Sequence, residues 1–509
     1  MKTARRSPFS YQGFGIDILW IFVILAGGLF ITSLIPLVPN DYWWHLKIGE
    51  WIYTHRAIPT TNMFAWTLPA DAPYYYGTWL GELSLYLIYK LGGVELTIFM
   101  RTLLFGLTLW LVGHEAKRRS GSWRIAAFVV ALGFFMSLSN VQVRTQIWSW
   151  LPFIIYLILL ARFSDQQLPK TWLLVLPLLM LFWVNAHGAF ILGLALIGVY
   201  LIGELLSALF KLPAALPLKD VLWLALIGLM TGLATLLNPR FFGIVDYVLD
   251  LLTDKPSQQL IIEWQSPSPQ GLVNIIFFLS ILILMIGLEY SKYRLTPTAA
   301  LTMVGFIWLA WSGLRYIVWY GIAVMPILSQ VIAKLPINLP SFEPQRSRRN
   351  VLIALLLLIP VVFVQPWFVE KIPLPETYWK QVIRDTPVGP LLSVENPIAA
   401  VEYLKSHPGG KLFNEMGYGS YLIWSIPEQG VFVDPRVELY PYEQWQDYIR
   451  ITRGADYNRI LEQYGADRIL LHKERQSDLA HILTSDPAWE LEYEDQYAQI
   501  WNKVSNESP

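Results

Sequence analysis

The chain has 509 residues, of which 54% are hydrophobic and only 15% are charged, and its mean hydropathy is +0.42. Soluble domains carry about 25% charged residues, so this composition excludes an ordinary soluble protein. The formal net charge of zero argues against bulk attraction to nucleic acid, and the absence of cysteine excludes disulfides and thiolate chemistry. The 23 Trp and 26 Tyr favour membrane–water interfaces. We therefore expect a multi-pass membrane protein.

Apolar runs predict about eleven membrane-spanning helices, because roughly 20 apolar residues are needed to cross ~30 Å of hydrocarbon. Lys2, Arg5 and Arg6 precede the first run, which lacks a small-residue cleavage site and therefore predicts a retained helix rather than a removed signal peptide. The predicted spans are residues 18–39, 94–115, 125–138, 146–161, 171–185, 189–210, 221–238, 271–288, 297–313, 316–333 and 350–367.

The basic residues of the loops predict the orientation of these spans. The connectors and chain ends on one side of the predicted spans contain seventeen Lys and Arg residues, including Arg346. Those on the other side contain seven. Cytoplasmic loops carry the excess of Lys and Arg. We therefore expect a bacterial plasma (inner) membrane protein with a cytoplasmic N-terminus and an external C-terminus.

Two connectors and the C-terminal third complete the predicted architecture, which is mainly α. Residues 1–368 form a membrane helix bundle with external loops at 40–93, including an interfacial helix at 85–91, and at 239–270. Residues 369–509 form a small external α/β domain. Its predicted elements are helices at 396–406 and 456–464, strands at 411–414, 431–434 and 468–472, and a hairpin through 490–502.

The loop after the first span carries the strongest functional signal. Asp41, His45 and Lys47 lie among tryptophans at the membrane surface. An aromatic belt explains the tryptophans but not an acid, an imidazole and an amine at one depth, where ionisable groups are costly. On a helix Asp41 and His45 would share one face.

Other polar positions have both a structural and a functional interpretation. Glu82 is either a solvated charge at a helix start or a site residue. Arg144 either anchors a helix end or binds a ligand, and Asn185 with His187 either caps a helix or takes part in chemistry. We expect Arg101 to pair with Glu82 or Glu95 inside the bundle, and Asp434 with Arg436 to form a structural ion pair at a docking surface.

Several motifs together resemble the multispanning bacterial glycosyltransferases of the GT-C superfamily. That superfamily includes protein mannosyltransferases, the aminoarabinose transferase of lipid A and oligosaccharyltransferases. The C-terminal segments also resemble the external domain attached to many uncharacterised members. The motifs are DYWWHLKIGEWI, IPTTNMFAWT, TWLGEL, VRTQ, WVNAHGAFILG, LLNPR, IIEWQSP, LRYIVW, GYGSYLIW, VFVDPRVELY and YGADRILL.

The resemblance implies roles for particular residues. Asp41 holds the place of the acid that follows the first span and acts as catalytic base or metal ligand. Arg315 matches an arginine that binds polyprenyl phosphate, and Glu263 lies in a loop comparable to one that carries a glutamate in some oligosaccharyltransferases. Asn62 and Thr78 stand where close relatives often have acids, which disfavours a multi-carboxylate metal site.

The sequence thus predicts a glycosyltransferase that takes its sugar from a polyprenyl-phosphate donor. Asp41, with His45 as partner or substitute, would be the base and Glu82 would orient the acceptor. Arg315, helped by Arg144 or Lys47, would hold the phosphate, with Glu263 and His187 near the acceptor.

The other partners and the rival functions stay open at this point. The acceptor would be a glycan, a lipid or a protein; membrane lipids are partners and nucleic acid is not. No cofactor is certain, although a divalent cation (Mg²⁺ or Mn²⁺) has a place in such chemistry. The alternatives are a transporter or flippase of a lipid-linked glycan and a non-catalytic assembly factor.

Overall fold

The computed structural model describes residues 15–213, 215–337, 347–384 and 386–504. Lys2, Arg5, Arg6 and Arg346, which contribute to the predicted orientation, lie outside the described residues. Fourteen helices form the part of the described chain before residue 368. They are α1 Leu19–Leu34, α2 Tyr42–His55, α3 Trp79–Ser120, α4 Trp123–Met136, α5 Ile147–Ser164, α6 Val175–Ala186, α7 Ile191–Leu209, α8 Leu218–Ala234, α9 Gly243–Thr253, α10 Lys255–Leu260, α11 Leu272–Tyr290, α12 Pro297–Ser312, α13 Ile317–Ala333 and α14 Arg348–Phe363.

Each of the eleven predicted spans coincides with one of these helices. Among the described residues, six helices are long and apolar enough to cross a membrane, and three shorter apolar helices accompany them. The helix α13 is buried along most of its length and packs against α3, α4 and α12, so the core of the bundle lies around it. The protein is therefore a multi-pass membrane protein.

The helix α3 is longer than a single span because it joins two limbs at a kink. Gly92 and Gly93 leave helical geometry, and Gly93 has a φ of +64°, a conformation that residues with a Cβ rarely adopt. The limb before the kink contains the predicted interfacial segment 85–91 and packs against α2. The predicted separate helix is thus the first limb of α3.

The C-terminal region contains six further helices and a four-stranded sheet. The helices are α15 Glu376–Trp379, α16 Ile398–Ser406, α17 Met416–Ser425, α18 Tyr442–Thr452, α19 Tyr457–Tyr464 and α20 Ser477–Leu483. The strands β1 Val382–Ile383 and β2 Leu392–Ser393 pair with each other. The strands β3 Leu412–Asn414, β4 Arg468–His472, β5 Trp489–Glu494 and β6 Ala498–Lys503 form a sheet of order β3-β4-β6-β5, in which only β3 and β4 run parallel. The predicted helices, the hairpin and two of the three other strands are confirmed.

The predicted strand at 431–434 is wrong. Val431 makes one isolated bridge to Ala65 of the first external loop. The carbonyl of Phe432 accepts hydrogen bonds from the side chains of Thr67 and Gln444. This apolar run is buried against the loop: the backbone of Val431 bonds the backbone of Phe64 and Trp66, and side chains satisfy the backbone of Phe432 and the carbonyl of Val433.

The C-terminal region docks on α2 and on the first external loop. The indole of Trp43 donates to Asn396 Oδ1 over 2.7 Å, and the backbone N–H of Trp44 donates to Ser420 Oγ over 3.1 Å. The fully buried pair of Asp434 and Arg436 lies at this junction, where Arg436 Nη1 also donates to Tyr76 Oη over 3.2 Å. The prediction of a structural ion pair at a docking surface is confirmed, and the docking holds α2 in place beside the bundle.

Candidate active site

The start of α2 positions the first acid of the site. Asp41 immediately precedes the helix, and its carbonyl accepts the N–H of His45 at 3.2 Å. The carboxylate of Asp41 accepts from the indole of Trp44 at 3.4 Å and keeps 26% of its side chain exposed. Asp41 is therefore held at the helix start with an oxygen still accessible.

His45 and Glu82 form a buried pair between α2 and α3. His45 Nδ1 lies 3.1 Å from Glu82 Oε1, which also accepts from Thr78 Oγ1 at 3.0 Å. Glu82 lies in the first turn of α3 but is fully buried, so its interpretation as a solvated helix-start charge is wrong. The other oxygen, Oε2, is buried and has no hydrogen-bond partner among the described residues. Such an orphan acceptor is costly unless a ligand or water meets it.

Arg144 brings together two acids that are far apart in sequence. Its guanidinium makes a two-pronged contact with Glu263, at 2.7 and 3.0 Å, and lies 3.5 Å from Asp41 Oδ2. Burial acts to lower the pKa of Arg144, but Glu263 and Asp41 overcome burial and raise that pKa above its usual range. Burial likewise acts to raise the pKa of Glu263, and Arg144 and then Arg315 lower it overall. Arg144 and Glu263 therefore stay charged at neutral pH.

Arg315 has an aromatic neighbour instead of an acid. It lies in a short 3₁₀ turn, Leu314–Tyr316, just before α13. Its guanidinium carbon lies 4.4 Å from the ring centre of Trp264. Among the described residues no ion pair involves Arg315, although Asp41, Glu263 and Arg144 lie close enough to act on it electrostatically. Its donors are therefore available to an anion.

His187 lies beside the same cations at the turn between α6 and α7. Its Nδ1 accepts from the backbone N–H of Ala189 at 3.2 Å and lies 2.8 Å from Ser149 Oγ. Burial, and then the charges of Arg315 and Arg144, hold the pKa of His187 well below its usual range. The neutral ring therefore carries its proton on Nε2, a tautomer that we assign from the hydrogen bonds. The predicted cap is confirmed, and it leaves one N–H donor for the site.

Two predicted partners lie elsewhere. Lys47 lies two residues beyond His45 and thus on another face of α2; its ammonium bonds Glu50 at 2.8 Å and lies over the ring of Trp424. The structure does not bring Lys47 to Arg144 or Arg315. The expected pairing of Arg101 with Glu82 or Glu95 is wrong, because Arg101 Nη2 donates to the carbonyls of Thr32 and Ile35, the latter over 2.9 Å. The guanidinium caps the carbonyl end of α1, where the helix dipole is negative.

Three site residues were not predicted from the sequence. Thr78 precedes Glu82 by four residues, a spacing that puts both on one face of a helix and could have indicated their contact. Trp264 adjoins Glu263 in the quoted motif, but nothing in the sequence indicates that Arg315 lies on it. Ser149, which accepts from Trp183 at 2.8 Å and thereby orients its hydroxyl hydrogen toward His187, has no sequence signal.

The acids of the site do not form a metal-binding set. Among the described residues no group of three or more His, Asp or Glu side chains lies close enough to hold a metal ion. Arg144 engages Asp41 and Glu263, and His45 engages Glu82. The residues present therefore do not fit a multi-carboxylate site.

A cavity of about 470 Å³ lies at the opposite end of the bundle and holds none of these residues. Its lining includes Arg118 and Arg119 at the end of α3 and Glu204 on α7. About 25 helical residues separate Gly93 from Arg118, which corresponds to ~38 Å along α3. The cavity and the candidate site thus lie near opposite membrane faces.

Comparison with solved structures gives the fold its class. The chain is similar to the archaeal oligosaccharyltransferase AglB from Archaeoglobus fulgidus, solved with an inhibitory peptide and a dolichol-phosphate, with a TM-score of 0.52, 12% identity and coverage of 97% of this chain and 75% of that one. It is similar to the mycobacterial arabinofuranosyltransferase AftD, with a TM-score of 0.53, 15% identity and coverage of 96% of this chain but only 42% of that one. ArnT from Cupriavidus metallidurans, bound to undecaprenyl phosphate, superposes more loosely, with a TM-score of 0.40, 12% identity and coverage of 96% and 98%.

The likenesses to AglB and AftD show that the chain shares the fold of these two membrane proteins. No family model and no curated protein matches the sequence. The predicted fold class, a membrane helix bundle of this type with a small C-terminal sheet domain, is confirmed. The boundary between residues 368 and 369 stays a prediction.

Proposed function

We propose that this protein is a membrane glycosyltransferase that moves a sugar from a polyprenyl-phosphate donor to an acceptor. One observation carries the proposal: Arg315, a cation without an acidic partner in the described chain, lies close to Arg144 and Asp41. Two guanidinium groups suit a phosphate, because the planar fork of Arg binds two oxygens at once. AglB, whose fold this chain shares, was solved with a dolichol-phosphate.

The reaction requires one bond to form and one to break. The acceptor hydroxyl oxygen attacks the anomeric carbon of the sugar, and the bond from that carbon to the phosphate oxygen breaks. The bonding electron pair stays on the polyprenyl phosphate, whose negative charge Arg315 and Arg144 stabilise. The hydroxyl proton passes to Asp41 as general base. Attack from the face opposite the phosphate inverts the anomeric centre.

The neighbouring groups orient the reactants. The buried Oε2 of Glu82 accepts a hydrogen bond from a hydroxyl of the acceptor, which removes the cost of leaving that oxygen unpaired. Nε2–H of the neutral His187 donates to an oxygen of the bound substrates. Both Nη1 and Nη2 of Arg144 donate to Glu263. A phosphate that binds Arg144 must therefore replace at least one of these hydrogen bonds. No step in this mechanism passes through a metal ion.

We further propose that the site faces the exterior of a bacterial plasma membrane, with the N-terminus in the cytoplasm. The excess of Lys and Arg in the opposite loops supports this orientation. The acceptor is then a glycan, a lipid or a protein reached from outside, and the donor enters from the adjoining leaflet.

The test uses the purified full chain in proteoliposomes that contain polyprenyl-phosphate sugars, with an acceptor extract added. Release of free polyprenyl phosphate, measured by mass spectrometry, is the expected result. Faster movement of intact donor between leaflets without release would overturn the proposal in favour of a flippase. Neither release nor movement, in protein that binds polyprenyl phosphate, would favour an assembly factor.

A further inference from the structure

The helix α9, in the connector after α8, has an unusual distribution of side chains. Ile244 is 2% exposed, and the ring of Tyr247 lies 4.9 Å from the ring of Tyr75. This side of α9 therefore packs toward the loop that leads into α3 and Glu82. It is the only side of the helix that the described chain covers extensively.

A second side of α9 is an exposed apolar stripe. Phe242, Val245, Leu249 and Leu252 are 74%, 54%, 56% and 47% exposed. Their spacing of three, four and three residues places them on one face of a helix. Between this stripe and the packed side lie Asp246 and Asp250, which are exposed to solvent. The helix thus has a packed side, an apolar side and a charged side.

The stripe continues the membrane-facing surface of the bundle. On α8, which coincides with one of the spans predicted from the sequence, and just beyond it, Leu229, Leu233 and Leu237 are 60%, 56% and 64% exposed. Phe241, 62% exposed, links them to the stripe. Apolar residues on the outer surface of a membrane bundle face hydrocarbon, and exposed apolar side chains recur along the chain from α8 to α9.

We infer that α9 is an interfacial helix that inserts its apolar stripe into the leaflet on the candidate site's side. A helix with separate apolar and charged faces lies in the plane of the interface with its apolar face ~5–10 Å deep. The partner is therefore the lipid surface itself. On the other side of the same helix Tyr247 lies against Tyr75, and Glu82 and Arg315 are near enough to act on it electrostatically, so α9 forms the membrane-facing wall of that site. This inference does not depend on sugar transfer.

Contacts at the far end hold α9 in this position. Gln259, on the following helix α10, accepts from Tyr442 of the C-terminal region at 2.8 Å. Four residues later Glu263 meets Arg144. The lipid surface, the C-terminal region and the site therefore all fix the same segment.

Spin labelling tests the inference directly, because the full chain has no cysteine to remove. Single variants Val245→Cys and Leu249→Cys are labelled with a nitroxide in nanodiscs of phosphatidylethanolamine and phosphatidylglycerol. Asp246→Cys and Asp250→Cys are matched controls on the charged side of the same helix, and Leu233→Cys on α8 is the hydrocarbon reference. Collision with oxygen should exceed collision with a water-soluble nickel chelate at 245 and 249, as at 233, and the order should reverse at 246 and 250.

Two results would overturn the inference. If the labels at 245 and 249 collide with the nickel chelate as often as those at 246 and 250, the apolar stripe is exposed to water. Low collision with both reagents at 245 and 249 would mean that a second copy or another protein covers the stripe. All these positions are exposed, so the labels should leave the fold intact, and an unchanged melting temperature of each labelled variant checks this.

Discussion

The sequence predicts that Arg315 is functional but does not predict its contacts. Its isolation between two apolar runs predicts a functional cation, because a charge there needs a partner. Its contact with Trp264 joins positions about fifty residues apart, and the contacts of Arg144 with Asp41 and Glu263 each join positions more than a hundred residues apart. Spacing and composition carry no information on such contacts.

Arg315→Ala should weaken binding of polyprenyl phosphate, and Arg315→Lys should recover only part of it, since an ammonium cannot make the two-pronged contact. Binding to the purified protein is measured by native mass spectrometry or by calorimetry. Arg384→Ala is the matched control, because Arg384 also lies on a tryptophan, Trp379 at 4.0 Å, but in the C-terminal region. Unchanged affinity in both Arg315 variants would remove this residue from the site.

His187 should make the stability of the protein depend on pH. Because its folded-state pKa is held well below the ordinary value of about 6.5, the unfolded chain binds a proton there before the folded chain does. The free energy of unfolding should therefore fall as the pH drops below about 6.5. His187→Gln should flatten this slope in thermal melts, whereas His55→Gln at the exposed end of α2 should leave it unchanged. An identical slope in wild type and His187→Gln would contradict the described burial.

At the scale of elements, apolar runs predict the spans well but not how their ends are joined. Residues 85–91 and 94–115 read as two helices, and they are two limbs of α3 that the non-helical Gly92 and Gly93 separate. Nearby acids in the sequence predict an acidic partner for Arg101, whereas its guanidinium bonds the carbonyls at the end of α1. The run at 431–434 has the composition of a strand because it is buried, and the docking surface rather than a sheet buries it.

The docking of the C-terminal region on α2 should depend on the pair of Asp434 and Arg436. Asp434→Asn leaves a buried guanidinium without its counter-charge, a change that costs about 3–5 kcal/mol. The melting temperature in detergent should fall clearly. Protection from hydrogen exchange should fall more in the C-terminal region than in the helix bundle. Glu402→Gln, which breaks the exposed pair with Lys405 on α16, should change the melting temperature little. Equal effects of the two variants would mean that the buried pair does not hold the docking surface.

For the whole molecule, composition and loop charge predict a membrane protein and its orientation. The structure adds the contact between the C-terminal region and the start of the chain. The C-terminal region packs on α2 and thereby helps to position Asp41 at the start of that helix. No sequence pattern indicates that contact, since its partners lie some 350 residues apart. The geometry of the candidate site therefore depends on contacts between distant parts of the folded chain.

Orientation can be tested on the intact protein. A reporter fused after residue 505 should be active outside the cytoplasm, and a reporter inserted in the 334–349 loop should be active inside it, because the basic loops stay in the cytoplasm. Alkaline phosphatase and a fluorescent protein report the two sides. The reverse pattern would place the candidate site on the cytoplasmic face.

The most direct test of the central claim is donor cleavage by Asp41→Asn in the proteoliposome assay. The amide keeps the size of the carboxylate and can still contact Trp44, but it cannot take the acceptor proton. General-base catalysis contributes about 10²–10⁴-fold, so release of polyprenyl phosphate should fall by that much while donor binding is retained. Glu50→Gln, at the acid of α2 that pairs with Lys47, is the control and should keep its turnover. Undiminished release by well-folded Asp41→Asn would contradict the account, because the base would then have to be another group.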